Sequence, residues 1–62
     1  MVYKTETINL RAKENRKFEA EVLIDNLANQ RFQEGWELVT YTVIVAAHYS
    51  ADMVYITFRK TN

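Results

Sequence analysis

Gly35 is the only glycine of the chain, and there is no proline. Every other turn must be made by residues confined to ordinary backbone angles. A helix that reverses into a strand needs a residue tolerant of positive φ just past its end. Gly35 sits in Glu34-Gly35-Trp36-Glu37-Leu38-Val39, between an amphipathic stretch and a β-branched one. The hexapeptide therefore reads as a helix stop followed by the start of a strand. Trp36 falls where the reversing chain closes on itself. Its indole is expected to be mostly buried, with its N–H on a nearby acceptor.

Upstream of that joint, Val2 to Leu10 has the composition of a strand. One face carries Val2, Lys4, Glu6, Ile8 and Leu10, the other Tyr3, Thr5, Thr7 and Asn9. Neither face is cleanly apolar, which points to an edge or to a second, half-polar contact surface. Arg11 to Asn15 reads as a polar connection, with Asn15 as the helix N-cap. Arg16 to Glu34 reads as the helix. At 100° per residue, Leu23, Leu27, Ala20, Ile24 and Ala28 form one contiguous apolar stripe. Phe18 and Phe32 extend the stripe to one side, while Glu19, Asn26, Gln30 and Gln33 lie opposite.

Trp36 to Ala47 reads as a long strand with apolar groups on both faces. Simple alternation puts Trp36, Leu38, Ile44 and Ala46 on one face, interrupted by Thr40 and Thr42. It puts Val39, Tyr41, Val43 and Val45 on the other. One helix covers one face, so a second subunit is expected on the remaining one. His48 to Asp52 supplies turn residues. Met53 to Lys60 reads as a third strand, hairpinned onto the second. The expected fold is α+β, in the order strand, helix, strand, strand. One helix packs on a three-stranded, mainly antiparallel sheet, and the molecule oligomerises through that sheet.

Size bears on the same point. Sixty-two residues make one domain, and a chain of that length buries only about 60% of its unfolded surface. Small domains usually add disulfides, a metal or a partner. With no cysteine and one histidine, a disulfide is excluded and no metal site is expected. A homo-oligomer, a dimer or higher, is the remaining route. Eight basic and eight acidic residues cancel, so nucleic acid is not the expected partner. Arg11, Lys13, Arg16 and Lys17 cluster around Glu14 and read as a solvated loop and helix start. No apolar run has the length of a membrane span, and no secretory leader pattern is visible at the start. A cytoplasmic location is the default expectation.

Catalytic constellations are thin. His48, Tyr49, Ser50 and Asp52 lie in one turn, where neighbours seldom reach nucleophile–base geometry, and they read as a polar hairpin turn. Glu34 and Glu37 end a helix and begin a strand, so they read as a solvated pair. One glycine cannot make a phosphate-cradling loop. The chain is expected not to be an enzyme, with no catalytic residues, no metal and no cofactor. What remains are hydroxyl and aromatic groups on strands, which can stack a planar ligand or pair across strands. The candidate binding set is Trp36, Tyr3, Tyr41, Tyr55, Thr40 and Thr42. Gly35, Leu27 and Ile24 are given structural roles.

Several residues resemble the small bacterial and phage family called domain of unknown function 4177. They are Tyr3, Asn29, the run Glu34 to Val39, and the terminal Phe58-Arg59-Lys60. Arg31 and Phe32 stand where that family commonly has a Leu-Gly pair, which lengthens the expected helix. The resemblance implies a helix-on-sheet fold and transfers no activity. The order of elements is also similar to that of dodecins, which stack flavin on a Trp near the start of the second strand. Dodecins lack the Gly-Trp-Glu-Leu motif, so that likeness rests on topology and Trp36. Two functions follow as expectations. One is a homo-oligomeric protein-interaction or inhibitor module, working through a sheet face or edge. The other is a binder of a planar or nucleotide-like ligand between subunits.

Overall fold

The computed structural model describes residues 1–15, 18–47 and 50–61. Strand β1 (Val2–Asn9) leads through a short 3-10 turn (Lys13–Asn15) to helix α1 (Ala20–Gln33). Strands β2 (Glu37–Ala47) and β3 (Ser50–Lys60) follow. The sheet order is β1-β3-β2, and β3 is antiparallel to both neighbours. β1 and β2 therefore run parallel to each other, with β3 inserted between them. Parallel strands need a crossover, and α1 supplies it. The expected strand-helix-strand-strand order and helix-on-sheet fold are found.

β3 is central, and its inward row forms the core. Val54, Ile56 and Phe58 are each 0% exposed, and Ile24 of α1 closes over them. Ile8, Leu10, Leu27 and Trp36 pack around this cluster. Leu27 and Ile24 thus have the structural role expected of them. The free ends of the stripe do not: Phe18 and Phe32 are exposed, Phe32 by 74%. A single 14-residue helix (α1) over so narrow a sheet leaves no surface for its flanks to meet.

Several boundaries differ from expectation, two of them for a visible local reason. β1 stops at Asn9, because the Asn9 side chain accepts the Arg11 N–H at 2.9 Å and turns the chain. Asn15 does not cap α1. Its Nδ2 instead donates to the Asn9 carbonyl at 2.7 Å, tying the 3-10 turn back to the end of β1. The N-cap is Glu19, in extended conformation, four residues later than expected. β3 begins at Ser50 rather than Met53. His48 and Tyr49, and the basic pair Arg16 and Lys17, lie outside the described residues.

The C-terminus of α1 matches its sequence signature. Gly35 has φ of 93°. Its N–H donates to the Phe32 carbonyl at 3.0 Å, and the Trp36 N–H donates to the Arg31 carbonyl at 2.9 Å. That pair of bonds is a Schellman motif. A Cβ on Gly35 would meet the Lys60 side chain at an ordinary 3.4 Å, so the cost of adding one lies in the backbone angle. Gly35→Ala is expected to lower stability by about 1 kcal/mol, the scale of a left-handed angle for an L-residue. Urea denaturation checks it, and an unchanged midpoint would refute it.

β2 does not alternate as simply as its sequence implies. Leu38 pairs with Phe58 while Thr40 pairs with Thr57, which leaves Val39 as an extra residue in a bulge. Beyond the bulge the faces swap. Directly paired residues share a face, so Leu38, Tyr41 and Val43 lie on the helix-bearing side with Phe58, Ile56 and Val54. Thr40, Thr42 and Ile44 lie on the opposite side with Thr57, Tyr55 and Met53.

Candidate functional site

The candidate binding residues fall into two groups on opposite sides of the sheet. Tyr3, Thr40, Thr42 and Tyr55 share the face that carries no helix. Thr5, Thr7 and Thr57 join them, and the Thr5 and Thr57 hydroxyls are hydrogen-bonded at 3.1 Å. At one end Arg59 Nη2 donates to Glu37 Oε1 at 2.8 Å, between Tyr3 and Glu37 in the same row. This face is open, hydroxyl-rich and nearly flat in charge. Tyr41 stands on the other side, exposed beyond the reach of α1.

Trp36 is also on the helix-bearing side, partly buried against the core. Two ammonium groups lie over its ring: Lys4 Nζ at 4.3 Å from the centroid and Lys60 Nζ at 5.3 Å. Each such contact is worth about 0.5–1 kcal/mol at a partly solvated site. No acceptor for the indole N–H is present among the described residues. The indole is mostly shielded against the core, as expected, but cations over its ring stand where a hydrogen-bond acceptor for its N–H was expected.

Beside it lies the main electrostatic joint between helix and sheet. Arg31 Nε donates to Glu6 Oε2 at 2.6 Å, and Nη2 to Glu6 Oε1 at 2.8 Å, a two-pronged pairing. Arg31 Nη1 also reaches Glu34 Oε2 at 3.1 Å. Lys4 adds a contact to Glu6 at 3.6 Å. The hydrogen bonds from Arg31 hold the Glu6 carboxyl below its usual range. Arg31 therefore fixes α1 to β1 with its side chain, while its carbonyl anchors the turn into Trp36.

A concavity lies elsewhere. A groove of about 440 Å³ runs between α1 and the outer side of β1. Four consecutive β1 residues, Glu6 to Asn9, line it, so the strand's unpaired edge faces into it. Leu23 and Leu27 contribute apolar surface, and Asn26 and Gln30 stand one turn apart along the helix wall. Ala12, Glu14 and Asn15 close the far end. None of these was in the candidate set. The signal in the sequence was the Asn26/Gln30 pair at helical spacing, which reads as a solvated face until the helix is placed beside β1.

Among the described residues there is no group of three side chains able to hold a metal ion, and no helix is long and apolar enough to cross a membrane. No family model, curated protein or solved structure matches the chain.

Proposed function

We propose that the chain is a non-catalytic, homo-oligomeric protein-interaction module that takes up an extended segment of a partner protein along the free edge of β1. The carrying observation is the groove. It joins an unpaired strand edge to an apolar helix flank topped by carboxamides. Strand addition needs those parts: backbone groups for affinity and side-chain pockets for selection. Glu6 is already committed to Arg31 and Lys4, and Glu14 stands at the far end of the groove. A planar ligand is less well served. Trp36 and Tyr3, Tyr55, Thr40 and Thr42 are on opposite sides of one sheet, and the Trp36 ring already lies beneath two ammonium groups.

A random-peptide library panned against the intact protein tests the proposal. Extended sequences should be enriched, and their binding should move the amide resonances of residues 6–9 and 23–30. Asn26→Arg projects a longer, charged side chain from an exposed helix position into the groove. It should weaken selected peptides at least about tenfold, which is about 1.4 kcal/mol. Peptides that bind the variant as well as the wild type would overturn the groove as the site.

A further inference from the structure

The two edges of the sheet are built differently. On β1, Lys4 and Glu6 place charge along the strand, and α1 stands beside its outer side. Charges and a flanking helix of that kind disfavour indiscriminate pairing and restrict the β1 edge to a segment that fits the groove. β2 has neither lysine nor proline. Its one charge, Glu37, is taken by Arg59 across the sheet. Leu38, Val39, Tyr41, Val43 and Ile44 are each between 38% and 51% exposed. Between its register shifts, Thr40 to Ile44 pairs regularly with β3 and presents a straight, uncharged outer edge.

We propose that this edge is the seam with a second copy of the chain, β2 pairing antiparallel with the partner's β2 about a two-fold axis at Thr42. The sequence of the segment is complementary to itself in that register. Tyr41 stands opposite the partner's Val43, an aromatic against a β-branched side chain. Thr42 meets the partner's Thr42. Pairs of both kinds favour antiparallel strands. No other register centred on the regular segment uses all five of its residues. A two-fold axis of this kind is perpendicular to the sheet, so both helices fall on one side. The two open threonine–tyrosine faces then merge into one six-stranded surface, with a β1 groove at each end.

Size supports a second copy over a foreign strand. The chain exposes 4716 Å², whereas a folded monomer of its mass exposes about 4,200 Å². Its radius of gyration is 12.4 Å, against about 10.6 Å for a compact domain of this length. The excess of about 500 Å² approaches what one partner buries in a small specific interface. An uncharged edge also suits a copy of itself, because two identical charged edges repel on contact.

The inference rests on the homo-oligomeric part of the proposed function and is independent of the β1 groove. Sedimentation of the wild type at high micromolar concentration should give twice 7.3 kDa. Thr42 is exposed, so Thr42→Lys and Thr42→Glu should keep the wild-type circular dichroism. Each should weaken self-association about tenfold, because like charges then face each other. Mixing the two variants should restore the dimer. The chain has no cysteine, so Thr42→Cys should cross-link to a covalent dimer under mild oxidation, and Glu21→Cys on the outer side of α1 should not. A monomeric wild type overturns the seam. A dimer that survives both charge variants, or cross-links better through Glu21→Cys, overturns it equally. Asn26→Arg should leave the dimer intact, which separates failure of the groove from failure of the seam.

Discussion

Phe58→Ala is expected to leave the chain largely unfolded at room temperature. Phe58 is the largest fully buried side chain, with no exposed surface. It lies in the central strand between Lys4 of β1 and Leu38 of β2. Truncating a buried phenylalanine costs about 3–5 kcal/mol, from lost burial and from the cavity left behind. A chain of this length has a total stability of about 3–9 kcal/mol, at about 0.05–0.15 kcal/mol per residue. The loss is thus comparable to everything that holds the domain together. Phe32→Ala is the matching control. That ring is 74% exposed, and its removal should change stability by no more than about 0.5 kcal/mol. Far-UV circular dichroism under urea reads both. A Phe58→Ala midpoint equal to that of Phe32→Ala would show that the core is not centred on β3.

The two phenylalanines also show where sequence reading succeeds and where it stops. The 3.6-residue stripe located Ile24 and Leu27 correctly, because a helix face repeats regularly whatever it packs against. The same stripe included Phe32, because periodicity cannot say how wide the covering surface is. For β3, alternation in the sequence groups Val54, Ile56 and Phe58 on one face. It did not show that β3 is the central strand, since order in a sheet is set by pairing between distant segments. The bulge at Val39 left a visible mark. Thr40 and Thr42 interrupted an otherwise apolar face, and one extra residue moves both to the other side. An interruption of that kind reads as a half-polar face or as a bulge, and only the pairing with β3 distinguishes them. The joint at Gly35 was fully legible, because its constraint is local: one residue, one angle and two backbone hydrogen bonds.

The candidate site was legible only in its chemistry. Tyr3, Tyr55, Thr40 and Thr42 do share a face. Tyr41 was placed with them by residue type; alternation sets it opposite Thr40 and Thr42 in any register, and the bulge puts it on the helix-bearing side. Trp36 was joined to them by size and position in the chain. The groove was missed because it is made by β1 and α1 together, and neither segment shows it alone.

Trp36→Ala is expected to cost about 3 kcal/mol, at the lower end of the range for large aromatic truncations because the ring is only partly buried. Trp36→Phe keeps an aromatic against the core cluster and should cost about 1 kcal/mol, the scale of a conservative core swap. The ammonium groups of Lys4 and Lys60 make a sharper test than stability. Fixed positive charge draws anions to the ring and keeps cations away. Iodide should therefore quench Trp36 fluorescence more efficiently than caesium at equal ionic strength. The double substitution Lys4→Gln with Lys60→Gln should remove that preference while acrylamide quenching changes little, since acrylamide is neutral. Equal quenching by iodide and caesium in the wild type would mean that the two lysines do not sit over the ring in solution. The indole would then be free to stack a planar ligand, and the reading of Trp36 as a cation-held support for the helix–strand joint would fail.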